Sequence, residues 1–343
     1  MTTDSLVPPP APSTEPGAPA PMPKSRRRLI ILIVIVAVIL ALIAGLFAWY
    51  LRTGKPITQI PILDAPIPPA YSTSIYDVQQ PLGVAFDEQN DRLYVSQSSG
   101  DQSVLVFNSA GQPQGKLTPV TPKKKNHVPV YIAIDPTNSD VYVTDRAAAA
   151  IYVYDAAGNF VKEFKPNGIA KWAPLGITFD KNGDLYVTDV TDPHQSVVML
   201  KTDGTVVRRM GESDGLSFPN GIAVRDDLSV FVTDSNNGRV MVYKSDGSSA
   251  GALPRGQGET ALGLPRGAVF DDRGRFLVVD TVNDTVNVYK PDDATLATFS
   301  YSFGEEGQND GQFLFPNRIA TDTQGRVFVT DRQNNRVQVW SYR

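Results

Sequence analysis

Pro219-Asn-Gly-Ile-Ala-Val224, Phe231-Val-Thr-Asp234 and Arg239-Val-Met-Val-Tyr243 form one phrase that the chain repeats six times between Pro81 and its C-terminus. The copies open at Pro81, Pro129, Pro174, Pro219, Pro265 and Pro316, at intervals of 48, 45, 45, 46 and 51 residues. A period of about 40 to 50 residues that carries short strand patterns and no helical ones is the signature of propeller blades. The sequence therefore predicts an all-β, six-bladed propeller.

Each unit parses into strands. Gly221-Ile-Ala223 is small, as expected where the innermost strands converge on one axis. Val141-Tyr-Val-Thr144 and Leu185-Tyr-Val-Thr188 alternate and are rich in β-branched and aromatic residues, and Val337-Gln-Val-Trp340 continues that pattern in the third strand. Asp180-Lys-Asn-Gly183, Asp271-Asp-Arg-Gly274 and Asp322-Thr-Gln-Gly325 sit between first and second strands, while Asp203-Gly204 and Asp246-Gly247 follow third strands. Glycine there accepts the positive φ of tight turns.

The sixth copy ends directly after its third strand, so its outer strand must come from elsewhere. Tyr71-Ser-Thr-Ser-Ile-Tyr76 resembles Phe299-Ser-Tyr-Ser-Phe303, and residues near 71–77 are expected to pair with Arg336–Trp340 and close the ring. Closure removes a sheet edge that would invite aggregation.

Proline-x-Gly-Ile-Ala, Tyr-Val-Thr-Asp and Asn-x-Arg-Val-x-Val-Tyr resemble the NHL repeat, and Gly307-Gln-Asn-Asp-Gly-Gln-Phe-Leu-Phe-Pro316 resembles its connection between blades. Gln97 replaces the aspartate of the first copy, Thr285 the arginine of the fifth, and Ala147–Ala150 the polar loop of the second. The resemblance implies a six-bladed ring that usually binds partners, with a minority of enzymatic relatives.

Residues 1–28 are expected to be a disordered cytoplasmic tail, since 1–23 hold eight prolines and no aromatic residue. Leu29–Leu51 run for 23 residues without a charge, enough to cross a hydrocarbon layer of about 30 Å. Lys24 and Arg26–Arg28 directly before that run place the N-terminus inside the cytoplasmic membrane and the propeller outside, with Trp49 and Tyr50 at the outer interface. A cleaved signal peptide is the competing reading; its apolar core would be about 7 to 15 residues, followed by a small-x-small site. Residues 52–70, rich in proline, read as a stalk, and 71–343 as the propeller.

The chain has no cysteine, hence neither a disulfide nor a thiol nucleophile. Removing the four basic and two acidic residues of 1–51 from totals of 32 and 36 leaves 28 and 34, a net charge of −6 for the rest. Such an acidic balance does not suggest nucleic acid.

Asp145, Asp189, Asp234, Asp280 and Asp331 recur at the end of the second strand, where a carboxylate accepts backbone N–H groups of the following loop and pairs with Arg239 or Arg336. A site is better sought where the copies differ. Loops joining outer to next inner strand and second to third strand share one face, and departures gather there. Lys123, Lys124, Lys125 and His127 precede the second blade, Lys171 and Trp172 the third, and Asp192 and His194 lie in a loop of the third. Tyr131 and Arg318 stand where four copies have Gly83, Gly176, Gly221 and Gly267, with Asn220 and Arg266 beside that ring. Trp172 next to a lysine suits a sugar or peptide face. No cofactor is expected. Amidating lyases of similar fold use several histidines for zinc, whereas this chain has only His127 and His194, with Asp192 as a conceivable third ligand. Lactonase-like propellers hold calcium on the axis, where Asn220 and Asn317 fall without matching that motif. No Gly-x-Ser-x-Gly elbow and no phosphate-cradling glycine loop occurs. The leading expectation is a membrane-anchored extracytoplasmic scaffold for a protein or cell-envelope polymer. The alternative is a metal-dependent lyase or hydrolase at the channel mouth.

Overall fold

A computed structural model describes residues 24–53, 67–117, 127–253, 256, 258, 261–292 and 296–342. Residues 1–23 of the tail expected at 1–28, most of the stalk and Lys123, Lys124 and Lys125 lie outside the described residues, while 24–28, expected to be disordered, are helical.

From residue 66 onward the chain forms six sheets of four strands each, every strand antiparallel to its neighbour. The fourth blade is representative: Pro219–Val224, Val230–Asp234, Arg239–Tyr243 and Ser249–Ala252 pair in sequence order. In the sixth, Pro316–Thr321, Arg326–Asp331 and Arg336–Ser341 receive Ala70–Ile75 as the outer strand. Tyr71 stands opposite Trp340, Ser74 opposite Gln338 and Ile75 opposite Val337, so the ring closes as the sequence predicts.

Second strands such as Val141–Asp145 and Leu185–Asp189 are buried at every position, because both faces of each sheet meet a neighbouring blade. Aromatic rings fill the gaps: Phe86 stacks on Phe328 at 5.5 Å, and Tyr142 meets Phe179 edge-on at 5.0 Å.

The glycine of the opening motif has a sharper reason than convergence on the axis. A Cβ at Gly221 would lie 2.0 Å from the carbonyl oxygen of Arg266, and one at Gly83 or Gly176 would lie 2.2 Å from that of Val130 or Asn220. The obstacle is therefore the backbone of the next blade. The threonine of Thr-Asp bridges the same joint. Thr233 Oγ1 accepts the Gly221 N–H at 2.6 Å and donates to Arg266 O at 2.6 Å. Thr144 donates to Leu175 O at 2.9 Å, Thr330 to Leu82 O at 3.2 Å, and Ser96 to Val130 O at 2.6 Å. Replacing Thr233 by valine keeps the volume but strands a buried N–H and a buried carbonyl, a loss of about 1 to 3 kcal/mol. The expected result is a fall in unfolding midpoint of several degrees, about 2 to 4 °C per kcal/mol. A midpoint equal to that of the wild type would remove the bridging role.

Upstream, Lys24–Thr53 form one helix of 30 residues, with Ile31, Leu40, Leu42 and Phe47 exposed. Its side chains are described for 31–45, 47 and 48, and among the described residues no helix is long and apolar enough to cross a membrane.

Candidate functional site

Each opening proline stands opposite the residue that ends the second strand, as in Pro219 opposite Asp234 and Pro316 opposite Asp331. The loops entering a blade and those joining its second and third strands thus leave the same face. Because proline has no N–H, the aspartate draws donors from the residues just before it. Ser217 N donates to Asp234 at 2.7 Å, Leu314 N to Asp331 at 2.7 Å, Ala173 N to Asp189 at 2.9 Å, and Gly263 N and Leu264 N to Asp280 at 2.7 and 2.9 Å. The aspartates therefore hold mainly the loop that enters their own blade; Ala148 N on Asp145 and Thr191 N on Asp189 are bonds to the following loop, as the sequence suggested. Gln97 does the same work in the first blade, accepting Gln79 N at 3.1 Å.

His127 belongs to this framework: its Nδ1 lies 2.9 Å from Asp145 Oδ2 and its ring meets Tyr152 edge-on at 5.5 Å. His194 is exposed in the third blade, beside Asp192, whose carboxylate accepts Gln195 Nε2 at 3.0 Å. Among the described residues no group of three or more His, Asp or Glu side chains is placed to hold a metal ion.

Tyr131, Asn220 and Arg318 are placed differently from the open face that the sequence suggested, at 1%, 2% and 5% exposure. Tyr131 crosses the channel, its hydroxyl directed at Oδ1 of Asn220 and, at 2.9 Å, Oδ1 of Asn317. Arg318 reaches from the sixth blade to the third, donating from Nη2 to Ile177 O at 3.3 Å, and its guanidinium lies 5.0 Å from the centre of the Tyr131 ring. The two residues that depart from glycine plug the axis. Beyond Arg318 the channel continues as a chamber of about 320 Å³ walled by Val84, Ile132, Ile177, Val269 and Ile319, opening among turn residues Pro136 and Lys181 on the opposite face.

Lys171 and Trp172 do meet in a recess. A groove of about 540 Å³ runs between the second and third blades, lined by Glu163, Lys165, Ile169, Lys171, Trp172 and Thr191. Trp172 is half-buried, packing 6.4 Å from Phe164 and against the core of these blades while its other side lines the groove. Lys171 is exposed. Arg146 and Arg332, which directly follow Asp145 and Asp331 at this face, were not singled out from the sequence. Their signal was available, since the same position holds Ser98, Val190, Ser235 and Thr281 in the other copies.

Comparison with known proteins agrees with this architecture. The NHL repeat profile matches residues 313–340, and that of the SMP-30/Gluconolactonase/LRE-like region matches 176–306. NHL repeat-containing protein 3 of Mus musculus is 29% identical over 178 residues, which cover 46% of this chain and 49% of that protein. Protein lin-41 of Caenorhabditis elegans is 51% identical over 39 residues, 11% of this chain and 3% of its own length. Among solved structures, a gluconolactonase from Xanthomonas campestris aligns with a TM-score of 0.59 at 19% identity, over 80% of this chain and 94% of its own. A virginiamycin B lyase from Staphylococcus aureus aligns at 0.54 and 17%, over 79% and 88%. The chain is a six-bladed β-propeller of the NHL-repeat type. It spans about half the length of the mouse protein that it matches.

Proposed function

We propose that this chain is a membrane-tethered binding propeller whose loop-rich face receives a protein or a cell-envelope polymer outside the cell. The observation that carries the reading is the groove of about 540 Å³ at Trp172, where an aromatic side and two lysines, Lys165 and Lys171, line one recess. Aromatic and cationic groups at a concave site are what binding hot spots are made of. The tether rests on the sequence alone: Leu29–Leu51 run for 23 residues without a charge, which at about 1.5 Å each in a helix matches a hydrocarbon core of about 30 Å, and the basic cluster before that run favours an inside N-terminus. The gluconolactonase and lyase structures share the fold at 19% and 17% identity, a likeness that extends to architecture and no further.

Treatment of intact cells with a membrane-impermeant cross-linker is expected to couple the chain to a specific partner. Ala170→Asp, at an exposed position in the groove, and Trp172→Ala are each expected to lower the coupled yield about tenfold, the effect of losing one hot-spot contact. Unchanged yield in both variants would defeat the groove. Coupling seen only after lysis would put the propeller on the other side of the membrane.

A further inference from the structure

The mouth of the axial channel holds positive charge that the protein does not neutralise. Arg209, Arg225, Arg239, Arg275, Arg326 and Arg336 each pair with a carboxylate; among the described residues Arg92 and Arg208 bond a carbonyl and Arg273 lies over the Tyr342 ring instead, and Arg146, Arg266, Arg318 and Arg332 at the channel pair with no carboxylate. Arg318 is 5% exposed, and among the described residues neither its Nε nor its Nη1 finds an acceptor. The buried Nε atoms of Arg266 and Arg332 also have no acceptor among the described residues.

The topology brings these residues to one layer. Arg266 follows Pro265, which stands opposite Asp280, while Arg146 and Arg332 follow Asp145 and Asp331, which stand opposite the equivalent prolines Pro129 and Pro316 of their own blades. Tyr131 and Arg318 close the channel beneath them. Burial and then repulsion from Arg266 and Arg146 hold the Arg332 guanidinium below its ordinary pKa, and burial does the same to Arg318. An unpaired buried cation is costly, and proteins ordinarily pair it. Several cations in a low-dielectric mouth focus a potential that attracts anions, and guanidinium forks match oxyanions in shape.

We propose that the channel mouth binds a small, multiply charged oxyanion of the phosphate class, held by Arg266, Arg318 and Arg332 with Arg146 at the rim. The ion neutralises the cluster and ties together the second, fifth and sixth blades. This site is separate from the Trp172 groove, and neither reading requires the other.

Calorimetric titration of the full-length chain in non-ionic detergent with inorganic phosphate, against chloride at equal ionic strength, is expected to show one saturable site. Phosphate is also expected to raise the unfolding midpoint as ligands of the folded state do. The double variant Arg266→Met/Arg332→Met changes two half-exposed side chains and is expected to weaken the site at least tenfold while still unfolding cooperatively. Arg318→Met is expected to abolish the phosphate-dependent rise, and if it does not fold the double variant decides. Sulfate acting like phosphate supports the oxyanion class. A response that follows ionic strength alone, or an affinity unchanged in the double variant, overturns the proposal. Cross-linking through the groove is scored separately, so loss of one activity with the other intact shows which reading fails.

Discussion

Deleting residues 70–77 is expected to lower the unfolding midpoint by more than about 10 °C and to turn reversible unfolding into aggregation. The segment is the only part of the sixth sheet that comes from outside the sixth copy, and it supplies the outer strand to Arg336–Ser341 along the register Ala70 opposite Ser341 to Ile75 opposite Val337. Ile75 is 6% exposed and packs with Val337, Val339, Phe328 and Val84, while the Tyr71 ring meets Trp340 edge-on at 6.1 Å. Losing those two side chains costs about 4 to 6 kcal/mol before the backbone ladder is counted. The deletion also uncovers an edge of β-branched residues, which templates pairing between molecules. Ile75→Asp reproduces the destabilisation without removing chain, whereas Ser72→Lys, on the exposed side of the strand, leaves the midpoint within about 2 °C. A deletion variant that melts with the wild type would show that another strand seals the ring.

The closing strand was legible because its evidence is local: a short alternating segment that resembles the strand preceding the last copy, and a sixth unit that stops one strand short. The strand-end aspartates were legible as loop-holding groups for the same reason, but the sequence pointed to the following loop, whereas most of their backbone donors come from the loop that enters the blade. The channel was not. Whether Tyr131 and Arg318 face outward or fill the axis depends on groups from blades 89 and 141 residues away along the chain, the Asn220 side chain and the Ile177 carbonyl. A repeat unit contains no information on what lies across the ring from it. The threonine bridge escaped notice because β-propensity alone explains a threonine in a strand, so its hydroxyl raised no question. The charge at the mouth was hidden by the total: a net charge of −6 over 52–343 coexists with Arg146, Arg266, Arg318 and Arg332 at the channel, which meet no acid among the described residues.

Asp331→Ala is expected to be the most damaging single substitution among the strand-end aspartates, at about 4 kcal/mol. Its carboxylate is fully buried and accepts Leu314 N at 2.7 Å, Arg336 Nε at 2.8 Å, and Asn334 Nδ2 and Gln338 Nε2 both at 2.9 Å. Arg336 is itself 4% exposed, so removing the acid leaves a cation where water does not reach. Carbonyls of Asn309 and Gln312 still accept from its Nη2 at 2.7 and 2.8 Å, and the exposed carboxylate of Asp310, 3.6 Å from its Nη1, remains as a solvent-screened counter-charge, which together limit the loss. The equivalent change in the fourth blade is the natural control. Asp234 is just as buried, but its partner Arg239 keeps a quarter of its side-chain surface in solvent at 25%, so water solvates the orphaned cation there. Asp234→Ala should therefore cost about 2 kcal/mol, mostly for the loop N–H groups it strands. Adding Arg336→Met to Asp331→Ala is expected to recover part of the loss, because it removes a buried charge left with only the distant, exposed Asp310 and retains the packing of the side chain. Thermal unfolding of the three variants beside the wild type checks the ordering. Equal losses for Asp331→Ala and Asp234→Ala would mean that the aspartates act only as loop clamps, and that burial of the arginine beside them has no energetic consequence.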